Sequence, residues 1–279
     1  MNTFDFYLYR LKLTFDKPTT FFAKDDLSRP ELILNMINSK PSSKFQRGQW
    51  HIGNIKQSSK FSGYFAVGKT TKAIKEKFDE DSGNFIIEED ENSPYTHVIF
   101  DSEIGLLAIA KKNKLAQTIN GIANKTKQLF QRSDVAFNYG ITVALDPISD
   151  PRDFIDALQS AYNIRSFTAT FSRSNPFDSE EFFHKPMERV LDATNGKEGK
   201  TTLKGDDLES DALVEITKSV AATGNDAVAY LKPTEKEGLI RKSLIGNPAH
   251  FSILEQELNA EQVLVQARKV YSSVRTSQQ

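Results

Sequence analysis

Two rhythms in one chain predict an α+β protein of two domains. Up to about residue 132, alternating apolar and polar runs separated by polar turns read as a mixed or antiparallel sheet. From residue 133, strands and helices take turns. The length of 279 residues suits one large domain or two modest ones, and no solenoid-period repeat interrupts it. The expected division is 1–132, an α+β domain with alternating basic and acidic blocks, and 133–279, a ferredoxin-like α+β domain with a C-terminal helix.

Residues 4–15 (FDFYLYRLKLTF) alternate and read as a strand. Asp25 and Asp26 are expected to cap a short helix carrying Leu27, Leu32, Ile33, Met36 and Ile37, with Pro30 in its first turn. Residues 49–56 and 60–68 form two strands around the polar Gln57, Ser58 and Ser59, and 70–78 reads as a short helix. Residues 84–87 are a short apolar run, and 96–101 with 105–110 form a hairpin. A helix over 113–132 puts Leu115, Ile119, Ile122, Ala123, Leu129 and Phe130 largely on one face.

In the second part, 136–145 reads as a strand, and Pro151 opens a helix running through residue 162. A strand over 164–172 follows, then a helix over 179–194 interrupted by Pro186. Residues 201–205 are strand-like, 209–223 form a helix ended by Gly224, and 227–231 a strand. This β-α-β, helix, β-α-β order predicts the ferredoxin-like unit. Residues 239–245 and 250–254 would extend its sheet, and 260–274 closes the chain as an amphipathic helix.

Composition removes several function classes. There is no cysteine, which excludes disulfides, iron–sulfur clusters, thiolate zinc and a cysteine nucleophile. His51, His97, His184 and His250 are too scattered for a helical metal pair. Charges at Asp5, Arg10, Lys12, Asp16 and Lys17 do not fit a signal-peptide core, and no apolar run approaches the ~18 residues of a membrane span. A cytoplasmic protein without membrane insertion is therefore expected.

The net charge of −1 excludes only a uniformly basic protein, because the charges come in blocks. Residues 40–77 carry nine basic residues against Glu76, a net +8. Residues 79–103 carry nine acids and no lysine or arginine, and 104–133 carry six basic residues and no acid. Lysines on neighbouring elements can track phosphates, and Trp50, Phe61 and Tyr64 are candidates for stacking on bases. The competing expectation is that the acidic block folds against the basic ones and cancels them, or competes with a nucleic acid for them.

Residues 63–70 fit GxxxxGK[ST], with Gly63, Gly68, Lys69 and Thr70 in the phosphate-binding places. The bulky apolar Tyr64, Phe65, Ala66 and Val67 read as strand, so a nucleotide-dependent enzyme stays an alternative only. Asp101, Glu103 and Lys111 are a loose metal-nuclease constellation. No GxSxG elbow occurs, and no catalytic residue, metal ligand or cofactor is expected.

The order of elements resembles that of the RexA/KwaB-like phage-exclusion proteins. The likeness lies in the strand pair at 50–55 and 61–67, the hairpin at 98–109 (VIFDSEIGLLAI), and a second α+β domain with a C-terminal helix. It implies a dimeric component of bacterial or prophage defence that binds DNA through basic surfaces and works with a partner protein. No diagnostic motif is shared, so no site residue is carried over.

The leading expectation is a non-catalytic sensor or regulator that binds DNA or RNA. Its contacts would be Lys56, Lys60, Lys69, Lys72, Lys75, Lys111, Lys112, Lys114, Lys125, Lys127 and Arg132. A homodimer with a defence-system partner is expected. The main rival is a protein-interaction subunit whose charge blocks match a partner.

Overall fold

The strand expected at residues 4–15 forms β1 (Thr3–Phe15), and its alternation separates two cores. Phe6 and Leu8 point to one side, Tyr9, Leu11 and Leu13 to the other, and all five are buried. The computed structural model describes residues 3–15, 27–46, 48–172, 183–246 and 248–275. Among them, nine strands make a large sheet. Its order is β13 (His250–Leu254), β1, β7 (Leu106–Ala110), β6 (Tyr95–Asp101), β4 (Ser62–Asp79), β3 (Gly48–Gln57) and β2 (Ser42–Phe45). β5 (Asn84–Asn92) joins β4, and β8 (Ile141–Pro147) joins β1. A second sheet runs β10 (Glu198–Lys204), β9 (Asn163–Ser172), β11 (Ala227–Lys232) and β12 (Ile240–Ser243).

One face of the large sheet is covered by α1 (Arg29–Asn38), α2 (Ile119–Gln131) and α3 (Asp134–Asn138). On the other face α7 (Ala260–Arg275) lies over β4, β6 and β13 and against α6 (Ser210–Ala222). α6 in turn packs on β9 and on α4 (Arg152–Gln159), while α5 (His184–Ala193) packs on β9 and β10. The result is a two-part α+β architecture. No helix among the described residues is long and apolar enough to cross a membrane.

The two parts are joined by buried polar groups on β1. Arg10 Nη1 donates to Tyr271 Oη of α7 at 2.9 Å. Lys12 Nζ lies 3.1 Å from Asp146 of β8 and donates to Ser172 Oγ and Asn225 Oδ1 at 3.0 and 3.1 Å. Burial pushes the Lys12 ammonium below its ordinary pKa, with Asp146 opposing the shift. At the other edge of α7, Arg268 donates Nε and Nη2 to the buried Asp101 Oδ2 at 2.8 and 2.6 Å.

Four expectations are corrected. Residues 70–78 are not a helix; β4 continues to Asp79 and pairs with β5 along its whole distal half. Good helix formers yield there to a partner strand that supplies cross-strand neighbours. Residues 136–145 are not one strand: Ser133 Oγ caps the Ala136 N–H at 3.2 Å to start α3, Gly140 turns at φ 59°, and β8 follows. The α1 helix is capped by Ser28 in a capping box with Glu31, while Asp25 and Asp26 lie outside the described residues. Finally, β8 pairs with β1 instead of with the β9 sheet, and β13 likewise joins the large sheet. The expected helix start at 179–182 lies outside the described residues; α5 begins at His184 with Pro186 in its first turn.

Candidate functional site

The α7 face of the large sheet is left partly open where β3, β4 and β6 extend past the helix. Cross-strand partners share a face, so the register assigns the residues. Tyr64 stands opposite Ile99, Ala66 opposite His97, and Gly68 opposite Tyr95. On β3, His51 and Gly53 face Gly68 and Ala66. A register shift between Gly53 and Lys56 inserts one residue, with Asn54 at φ 50°, and brings Lys56 opposite Tyr64. Bulges re-aim side chains in this way. A Cβ built on Gly53 would meet nothing within 4 Å, which shows that the space above the sheet there is open.

The rings on this face touch one another. The His97 ring lies 5.7 Å from that of Tyr64, 5.8 Å from Tyr95 and 5.0 Å from Phe4, centroid to centroid. Tyr64 Oη and His97 Nδ1 are 3.1 Å apart, and Thr70 Oγ1 and His51 Nε2 3.3 Å. Lys112 Nζ sits 5.1 Å from the Tyr95 ring centroid, a cation over an aromatic face. Tyr95 is 44% exposed and Tyr64 half-buried. Burial, with Lys112 adding to it and Glu255 opposing, lowers the His97 pKa, so the ring is neutral at pH 7. Burial raises the Tyr64 pKa, with Tyr95 adding to it. Where the face meets the start of α7 there is a cavity of about 210 Å³, whose lining includes Phe6, Lys56, Tyr64, His97, Ala260 and Val263.

The predicted basic residues do not form one surface. Lys56, Lys72 and Lys112 go with the open aromatic face: Lys56 opposite Tyr64, Lys112 over Tyr95, and Lys72 at even spacing from Tyr64 along β4. Lys69 stands opposite the buried Trp50, on the α2 side of the sheet. Lys60 is exposed, 4.7 Å from the ring of its neighbour Phe61. Lys111 and Lys114 are exposed in the connection before α2, and Lys127 is half-buried on α2. Lys125 and Arg132 lie 4.0 and 4.8 Å from the Phe45 ring, at the β2 edge. Lys75 is opposite Glu88, and Lys72 opposite Glu91, in the β4–β5 register. Of the three stacking candidates, Trp50 is a core residue, Phe61 is half-buried beneath Lys60, and Tyr64 alone belongs to the open face.

Gly63, Gly68, Lys69 and Thr70 lie inside β4, paired with β3 on one side and, through Gly63 and Gly68, with β6 on the other. Their glycines serve close strand packing: a Cβ would come within 2.3 Å of Lys56 O at Gly63 and 2.8 Å of Tyr95 Cβ at Gly68. A paired strand has no free arc of N–H groups to wrap a phosphate, so the phosphate-loop alternative loses its geometry. Asp101 is tied to Arg268, and no metal-type cluster of His, Asp and Glu occurs among the described residues.

Sequence inspection missed Tyr95 and His97. Their spacing of two within 95–101 signals a shared face, but only the register shows Tyr64 and Lys56 beside them.

These features define an α+β protein with an open, aromatic and basic sheet face. The chain belongs to the family described as Domain of unknown function (DUF4747), whose match covers residues 30–225. That span contains Lys56, Tyr64, Tyr95, His97 and Lys112, while β1 and α7 lie outside it. Among curated proteins, nothing matches the chain.

Proposed function

We propose that the chain is a non-catalytic nucleic-acid-binding component that takes a single strand across the open β3–β4–β6 face. The observation that carries this is the contiguous set of Tyr64, Tyr95 and His97 rings flanked by Lys56 and Lys112. Exposed rings on a sheet offer stacking surfaces to unpaired bases, and lysines beside them neutralise phosphates. The cavity beside Tyr64 and His97 has room for one base, with Lys56 placed for its phosphate.

On architecture, we read the β9–β12 sheet with α4 and α6 as a ferredoxin-like layer whose first strand, β8, has gone to the large sheet. The biological setting is phage defence together with a partner protein; what supports it is the element order resembling phage-exclusion proteins. The competing expectation, that the acidic block folds against basic residues and cancels them, draws support from the β4–β5 register, where Lys72 and Lys75 stand opposite Glu91 and Glu88.

The test is fluorescence anisotropy with labelled single-stranded and duplex DNA and RNA. Base–aromatic stacking is worth about 1–3 kcal/mol, so Tyr95→Ala should weaken single-strand binding about 5- to 150-fold. Circular dichroism should not change, because Tyr95 is half exposed. Equal affinity of the variant and the wild type would remove the sheet-face proposal.

A further inference from the structure

Beyond its contacts to the main sheet, β4 runs on with β5 as a two-stranded arm over residues 71–92. Nine residues at ~3.3 Å each give it a reach of ~30 Å. Thr71–Asp79 pair with Asn84–Asn92 and with no third strand among the described residues. An isolated hairpin is marginally stable at best, and this one carries apolar side chains into solvent. Phe85 is 83% exposed, Ile87 74% and Phe78 49%. Phe78 stands opposite Phe85 and Glu76 opposite Ile87, so all three apolar residues share one face near the tip. The Phe78 and Phe85 rings meet at 5.1 Å. The 71–92 segment has three lysines against eight acids, a net −5.

A surface of the opposite character lies on the far side of the sheet. Of the six basic residues in 104–133, Lys125, Lys127 and Arg132 lie on α2 and its cap. Lys125 and Arg132 enclose the half-buried Phe45. On α3, the next helix, Phe137 is 86% exposed. A basic helix followed by an exposed aromatic suits an acidic, aromatic-tipped arm in both charge and hydrophobicity. Lys125, Lys127 and Arg132 are also basic residues that the open sheet face does not use.

We infer that the occupant of this α2–α3 surface is the β4–β5 arm of a second copy of the chain, so that two protomers exchange acidic arms onto each other's basic surfaces. Reciprocal exchange closes as a two-fold dimer, in which each contact occurs twice. Charge complementarity across the contact makes the association salt-sensitive.

Sedimentation velocity on the full chain tests this with two variants, each checked by circular dichroism. Wild type should dimerise at concentrations up to about 100 μM and weaken with added salt. Phe85→Ser/Ile87→Ser on the arm and Lys127→Glu/Arg132→Glu on the basic surface should each raise the dimer Kd at least about tenfold. Mixed together, the two variants should associate better than either alone, because one arm and one basic surface remain intact. A wild type monomeric throughout, a dimer indifferent to either variant, or a mixture no better than its parts would overturn the exchange. Basic-surface variants that lose oligonucleotide binding while still dimerising would assign that surface to nucleic acid instead.

Discussion

Salt dependence offers a numerical test of which lysines meet a nucleic acid. On single strands log K falls with log salt at a slope of about −0.7 per phosphate neutralised. If all eleven basic residues singled out in the sequence bound phosphates, the slope would be about −8. The structure puts three of them, Lys56, Lys72 and Lys112, with the open aromatic face, which predicts a slope of about −2. Between 50 and 200 mM salt the affinity should then fall only about twentyfold, against four to five decades for the larger set. Anisotropy titrations of a labelled single strand at four or five salt concentrations measure this directly. Lys112→Gln should flatten the slope by about 0.7, whereas Lys125→Gln, at the Phe45 edge, should leave it unchanged. A slope near −8, or a Lys125→Gln effect equal to that of Lys112→Gln, would refute the assignment of faces.

Two further outcomes follow from the same geometry. His97 should titrate below the ordinary histidine value, because burial and the Lys112 charge both disfavour the imidazolium. Between that lowered value and about 6.5 the unfolded chain binds more protons, so stability is fully present above about 6.5 and is lost as pH falls through the folded value. Lys112→Gln should bring the His97 titration, followed by its ring-proton NMR signal, back up; an unmoved signal would show that Lys112 does not act on it. Arg268→Ala leaves the buried Asp101 carboxylate without its guanidinium. Since Arg268 is half exposed, the cost should sit at the low end for a buried pair, about 3 kcal/mol, or a fall in melting temperature of about 6–12 °C. A shift under about 2 °C would mean that the pair does not hold α7 to the sheet.

Most elements were legible in the sequence where their cause is local. β1, β3, the β6–β7 hairpin, β9, α6 and α7 follow from alternation, helical spacing and the Gly224 stop. The errors fall where the cause is remote. Residues 70–78 have helix-forming composition, and only β5, about ten residues on, makes them strand. β8 looked like the first strand of the second domain, yet its apolar residues complete the core under α2 beside Leu11 and Leu13. The alternation in β1 does not show that its polar Arg10 and Lys12 are buried between the two parts of the molecule.

By itself, then, the sequence determined the α+β class, the lack of thiol chemistry, and charges segregated into blocks of +8, −9 and +6. Those properties are sums or local patterns, and folding cannot change them. Which lysine stands beside which ring was decided only by strand register. One bulge turns Lys56 toward Tyr64, while Lys69, five residues along β4 from Tyr64, falls on the opposite face. Side chains alternate every residue along a strand, so a change of one position moves a charge from one face to the other. The acidic block likewise became an arm only because β5 pairs with the distal half of β4, which carries Phe78, Phe85 and Ile87 into solvent.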